Sequence, residues 1–283
     1  MPIDRDQAMA YEFPEGTGSY SNDEVILYHL GVGAGVPATD AGELEYTYEK
    51  DLKVLPSFVT TVLLSGGGSM MSVPGLEFNP MMLLHGEQDI EIHRPLPPEA
   101  KMKGRTRIAD IFDKGKAALT ILENSVSTED GEPLFTTRMA LFMRGEGGFG
   151  GEPGPPAANQ APDREPDAVF ESETLPQQAL LYRLNGDKNP LHCDPEFAAM
   201  GGFDVPIIHG LCSYGITCKA VVDGMLDGDP TRVARYQARF KGVAWPGETY
   251  QVRCWNEDGK ILVEAWSKER NEAIITNAAV TLR

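Results

Sequence analysis

No apolar run in this 283-residue chain approaches the ~20 residues needed to cross a bilayer. The opening residues carry Asp4, Arg5 and Asp6 where a secretion signal would place an apolar stretch. Positive charge is scarce too: 25 Lys and Arg against 42 Asp and Glu leave a formal net charge of −17, without the general basic surface that nucleic acid or an anionic membrane requires. The four cysteines, Cys193, Cys212, Cys218 and Cys254, form no C-x-x-C pair and no disulfide framework, and read as reduced, intracellular thiols. The glycine-rich stretches lack the rest of a nucleotide site. Leu64-Ser65-Gly66-Gly67-Gly68 has no Lys and Ser/Thr of a phosphate loop, and Gly31-x-Gly33-x-Gly35 lacks the spacing and flanking strand of a dinucleotide fingerprint. One imidazole, His192, with Asp187 and Asp194 is too few ligands for a metal. The expectation is a cytoplasmic protein with no metal, no redox cofactor, and no nucleic-acid or membrane partner.

What is present is concentrated in Tyr182-Arg183-Leu184-Asn185-Gly186-Asp187-Lys188-Asn189-Pro190-Leu191-His192, which sets a carboxylate and an imidazole five residues apart across a sharp turn. Gly186 permits a tight backbone, Asn189 can cap a helix, and Pro190 suits the first helical position. His192 then falls in a helical first turn, with Asp187 folded back toward it, so that both can face one water or one substrate atom. The same residues also fit an Asx turn followed by a capped helix with a partly exposed histidine.

Downstream, Ile207-Ile208-His209-Gly210-Leu211-Cys212-Ser213-Tyr214-Gly215 is an apolar approach to a His-Gly corner. Leu211, Tyr214, Gly215, Cys218 and Val222 recur at helical spacing and predict a helix over residues 210–225. Its unpaired first N–H groups and a glycine at its start would admit a carbonyl oxygen, making Gly210 a candidate oxyanion donor. The alternative is a tight helix start, with His209 as a packing residue.

Together these segments resemble the R-specific 2-enoyl-CoA hydratases, the hydratase 2 or MaoC-like family of hot-dog proteins, in the two-domain form of actinobacterial and peroxisomal members. The pattern G-D-x-N-P-x-H is met at Gly186, Asp187, Asn189, Pro190 and His192, and the H-G-L corner at His209, Gly210 and Leu211. The resemblance implies hydration of a trans-2-enoyl-CoA to a (3R)-3-hydroxyacyl-CoA in β-oxidation of fatty acyl or sterol side-chain thioesters. It implies Asp187 and His192 as the catalytic pair, Asn189 helping to hold the water, and the Gly210 N–H on the thioester oxygen. It also implies CoA as part of the substrate rather than a cofactor, and a homodimer. A hot-dog thioesterase, a carrier-linked 3-hydroxyacyl dehydratase and a non-catalytic acyl-CoA binder are the alternatives.

The chain also resembles itself. Leu27–Gly35 lines up with Leu181–Asn189 at a constant separation of 154 residues, with Gly33 in place of Asp187 and Gly35 in place of Asn189. Each half follows a helix-bearing segment with strand-like runs: near 88–94, 101–112, 116–127 and 134–144, then near 233–242, 248–256, 260–268 and 273–282. That order predicts an α+β fold. With the resemblance it becomes a double hot-dog, each copy a long helix wrapped by a curved antiparallel sheet. The expected division is a catalytically degenerate copy over 1–145 that holds the acyl chain, a Pro/Gly-rich linker over 146–167 with little to pack, and a catalytic copy over 168–283.

For the substrate, the candidates are Gly186, His209 and Leu211 beside the catalytic pair, and a Met-rich stretch including Met70, Met71, Val73, Met81 and Met82 that can line an acyl tunnel. Arg183, Lys188, Lys219, Arg239 and Lys241 are candidates for the CoA phosphates, each with a solvated surface charge as its alternative.

Overall fold

The eight strand-like runs, joined by two short strands at the sheet's edges, form a single ten-stranded antiparallel sheet in the computed structural model, which describes residues 3–283. The first half supplies α1 (Arg5–Met9), β1 (Gly16–Tyr20), α2 (Asn22–Gly31), α3 (Ala41–Thr47), β2 (Leu83–Ile92), β3 (Ala100–Asp113), β4 (Ala117–Thr128) and β5 (Pro133–Arg144). The second supplies β6 (Ala168–Glu173), α4 (Gln178–Tyr182), α5 (Pro195–Met200), α6 (Gly210–Met225), β7 (Val233–Phe240), β8 (Thr249–Glu257), β9 (Lys260–Ser267) and β10 (Glu272–Leu282). Across the sheet the order is β1-β3-β4-β5-β2-β7-β10-β9-β8-β6, two five-stranded units meeting head to head at β2 and β7. This is the expected α+β double hot-dog.

The seam is held by charge as well as by backbone. Glu87 lies opposite Arg239 and Glu91 opposite Arg235. Arg239 pairs with Glu87, and Arg235 grips Asp89 through Nε at 2.8 Å and a terminal nitrogen at 2.6 Å. From Asp89 the ladder continues through Arg138 and Glu123 to Arg107 on β3.

The helix of the second repeat spans Gly210–Met225, as its periodicity predicts, and is buried without interruption from Cys212 to Val222. A helix that is apolar all round must be enclosed. Val252, Ala265 and Ile275 pack in the same core as α6, which also takes in Tyr28 of α2, Phe58 and Tyr182. Gly215 permits the approach of α2, since a Cβ there would lie 2.5 Å from the Tyr28 Oη and the Val32 Cγ1. Across the same contact Lys219 Nζ pairs with Glu43 and Asp223 at 2.7 Å each, and the Tyr46 hydroxyl donates to Asp223. Lys219 therefore joins the repeats and is not free for a CoA phosphate.

The first repeat departs from the expected long helix. At the matching position it has one 3₁₀ segment, Pro56–Thr61. There the Thr60 and Thr61 hydroxyls bond back to the Ser57 and Phe58 carbonyls at 2.8 Å, which stabilises the tight turn. Gly66, Gly67 and Gly68 follow soon after, where a longer helix would have continued.

The connector also differs from its expectation. It has no regular structure between 146 and 162, but it lies against the second repeat. Asn159 donates to Gln237, the Ala158 carbonyl accepts from Asn277, and Ala161 packs on Trp255, Leu262 and Ala279. Among the described residues no helix is long and apolar enough to cross a membrane.

Candidate active site

Three local devices shape the loop before α6. Gly186 adopts φ +117°, a conformation costly for any residue with a Cβ, and so turns the chain after the 3₁₀ segment Arg183–Asn185. Asp187 Oδ1 then accepts the Asn189 N–H at 3.1 Å, and Asn189 Oδ1 accepts the Leu191 N–H at 3.0 Å. The result is a one-turn 3₁₀ segment, Pro190–His192, with Asn189 as its cap and Pro190 at its first position. Asp194 caps α5 in the same way.

This turn sends the His192 ring inward, where Nδ1 donates to the Ile207 carbonyl at 2.9 Å. That bond fixes the tautomer and leaves the Nε2 lone pair without a partner among the described residues. Burial holds His192 below the ordinary imidazole value, against the pull of the Ile207 carbonyl and of the Asp187 charge. It is a neutral base at neutral pH. Asp187 remains exposed, so one partner is dry and the other wet.

The His209 ring stacks on His192 with centroids 3.8 Å apart, and its Nε2 donates to the Asp187 backbone carbonyl at 3.2 Å. Burial and the neighbouring His192 push it down to about 4. His209 thus braces both halves of the acid–base pair. Asp187, His192 and His209 bring ligand-type atoms within 4.8 Å of one another, so the structure adds a second imidazole that the sequence spacing did not place there. Two of their nitrogens are already committed to backbone carbonyls.

His209 is also the last residue before α6, with φ −57° and ψ 137°, so Gly210 opens a 16-residue helix with its backbone exposed and its N–H without a partner among the described residues. The geometry therefore offers a neutral imidazole, a carboxylate and a helix-end donor in one place. Such a group can move a proton while stabilising a developing oxyanion.

Residues 19–145 match the MFE-2 hydratase 2 N-terminal domain, and residues 157–278 the MaoC like domain. Over 277 residues the chain is 44% identical to a Mycobacterium tuberculosis protein named enoyl-CoA hydratase ChsH3, covering 97% of each. The chain belongs to the MaoC-like hydratase 2 family. It is also 40% identical to the peroxisomal enoyl-CoA hydratase 2 of Arabidopsis thaliana, over 95% of this chain and 93% of that one. Its fold matches a MaoC-like dehydratase from Phytophthora capsici with a TM-score of 0.87 at 34% identity, over 98% of both chains.

Seen as a MaoC-like chain, the molecule carries site residues that sequence spacing did not find. His85, at the start of β2 in the first repeat, meets the Phe240 ring edge-on at 5.0 Å, and Phe240 lies 3.4 Å from where a Gly210 Cβ would stand. Burial pushes His85 down to about 4, with Asp187 among the charges acting on it. The site therefore straddles the seam. The only signal for it in the sequence is that His85 is one of five histidines.

Other expectations fall away. Arg239 is engaged by Glu87 across the seam. Met81 is 75% exposed and Met82 41%, and neither lines the two cavities beside the site. Val73, with Met70 against it, packs in a separate cluster with α1. Leu211 packs against the main core beside the site, Lys241 and Lys188 are exposed, and Arg183 lies near enough to act on His209.

One cavity of about 240 Å³ runs from Leu27 and Phe58 to Gly186, next to Asp187. A second of the same size lies under the first repeat's sheet, and the two share Val62 and Leu63.

Proposed function

We propose that this chain is a hydro-lyase that hydrates trans-2-enoyl-CoA thioesters in β-oxidation. Conjugation with the thioester makes C3 electrophilic, and addition of water there drives negative charge onto the carbonyl oxygen. The Gly210 N–H and the α6 dipole stabilise that charge. His192 takes the water proton at Nε2 and returns it to C2 on the same face, Asp187 orients the water, and Asn189 holds the turn that sets their spacing. His209 fixes the ring of His192 by stacking.

The single observation that carries this reading is the inward-facing His192, with its Nε2 lone pair free of partners among the described residues. Its Nδ1 is tied to Ile207, and the carboxylate of Asp187 lies nearby. These groups supply the acid–base step, so the reaction is written without a metal or redox cofactor, and CoA enters as part of the substrate. The R configuration at C3 is part of the proposal, as is seating the acyl chain in the first repeat. A sterol side chain fits the same reading as a bulky extreme of the substrate class. A cytoplasmic homodimer completes it.

The test is loss of enoyl-thioester absorbance with short, long and sterol-derived trans-2-enoyl-CoA esters, with chiral analysis of the product. Rapid loss giving the 3R alcohol, reduced by about 10²–10⁴ in Asp187→Asn, is the expected result. Free CoA thiol without the alcohol would mean a thioesterase, and binding without turnover a relic site.

A further inference from the structure

The inner faces of the two repeats differ in chemistry. In the second repeat the cross-strand rows Val252, Ala265, Ile275 and Cys254, Val263, Ala278 are at most 1% exposed, and all pack in the core with α6. In the first repeat the helix has shrunk to Pro56–Thr61, and a polar row crosses β3, β4 and β5 instead: Thr106 opposite Asn124, and Asn124 opposite Thr137. Thr106 Oγ1 donates to Asn124 Oδ1 at 2.6 Å, and Asn124 Nδ2 donates to Thr137 Oγ1 at 3.3 Å. All three line the second 240 Å³ cavity, beside apolar walls that include Val59, Leu64 and Phe135.

A tunnel for plain hydrocarbon gains nothing from such a row, because buried polar groups must keep partners or lose free energy. After its internal bonds the row still has the Thr137 hydroxyl proton and one Asn124 amide proton without acceptors among the described residues. Both suit an oxygen acceptor. Gln88, 2% exposed, is fixed by donating to the Asp89 and Arg138 carbonyls, lines the same cavity, and lies within reach of the His85 ring. The cavity shares Val62 and Leu63 with the one that reaches Gly186, and Gln88 links its lining to His85 along β2.

The geometry points to Thr137 and Asn124 as specificity residues that select enoyl-CoA esters whose distal acyl portion carries a hydroxyl or keto oxygen over plain hydrocarbon chains of equal length. This assignment rests on the hydration reading above. The experiment compares kcat/KM for a straight-chain enoyl-CoA, for the same ester with a hydroxyl moved carbon by carbon along its distal half, and for a short enoyl-CoA that ends before the cavity. One hydroxyl position should be favoured over the plain chain by about 3- to 10-fold. Thr137→Val, which keeps the side-chain shape, and Asn124→Leu should each erase that preference and leave the short ester unchanged.

Hydration with no favoured position, or a preference that survives both substitutions, overturns the specificity assignment and leaves hydration standing. No hydration of any ester overturns the reaction and this assignment with it.

Discussion

The two repeats began from one plan and now differ at every position that chemistry needs. With residues 154 apart matched, Gly33 stands for Asp187, Gly35 for Asn189, Ala38 for His192 and Leu55 for His209. Backbone geometry at the helix start has nonetheless been kept: Leu55 has φ −62° and ψ 134°, His209 φ −57° and ψ 137°. The residue that follows is Pro56 in one and Gly210 in the other. Proline has no N–H, so the first repeat has lost its oxyanion donor along with the acid and the base. Release from that duty coincides with a shorter helix and an opened cavity. Difference between the copies, more than either copy alone, separates residues kept for folding from residues kept for the reaction.

The sharpest way to break this comparison is to exchange those two residues. Gly210→Pro should keep α6, because proline is favoured at the first helical position, because the His209 backbone already has the extended geometry that precedes proline, and because a Cβ there meets only Phe240 at 3.4 Å. It removes one donor and little else. Turnover should fall by about 10²–10³, with far-UV circular dichroism unchanged. Pro56→Gly should leave turnover as it is and cost about 1 kcal/mol of stability through the freer unfolded chain. A loss of activity in Pro56→Gly, or its retention in Gly210→Pro, would show that the oxyanion donor lies elsewhere.

How much of this was legible depended on distance along the chain. The Gly186–His192 turn is local, and its glycine, cap and proline each have a positional meaning that the structure repeats residue by residue. The extent of α6 and of most strands is readable for the same reason, whereas the edge strands β1 and β6 and the first five residues of β2 carry no such pattern. His85 and Phe240 were not, because their contact depends on the register of β2 against β7, strands more than 140 residues apart. Arg239 and Lys219 read as free cations because nothing in the spacing reveals Glu87 or Glu43 as partners. The first repeat falls short of the expected helix: its apolar residues suggest one, but Pro56, the hydroxyls of Thr60 and Thr61 and the glycine run limit it to a single tight segment.

The contact between the copies can be broken without touching the reaction. Lys219 is 9% exposed, and its charge is favoured because the pairs with Asp223 and Glu43 outweigh the penalty of burial. Lys219→Met keeps much of the volume but leaves two carboxylates facing each other without a cation. Breaking one side of a buried pair is costly, so denaturant unfolding should report a loss of about 3 kcal/mol. Lys219→Met with Glu43→Gln should recover part of it. If the single variant is as stable as the parent, the Lys219 pairs add nothing to the contact of α6 with the first repeat.

A smaller effect concerns a histidine that the first repeat has and the second does not. His29, matched to Arg183, is fully buried; Nδ1 donates to the Tyr46 carbonyl at 2.8 Å while Nε2 accepts the Leu55 N–H at 3.1 Å. The ring must be neutral to accept, and burial pushes it down to about 4 from 6.5. The unfolded chain therefore binds this proton first as pH falls. Its contribution is fully present above about pH 6.5 and is lost progressively toward pH 4, at most about 3 kcal/mol from this group. His29→Gln offers one donor and one acceptor without a titrating ring, so it should flatten the dependence of the urea midpoint on pH in that window. His85 and His209, also held near 4, keep their own slope in that variant. An unchanged slope in His29→Gln would assign the acid sensitivity to the catalytic seam rather than to the first repeat.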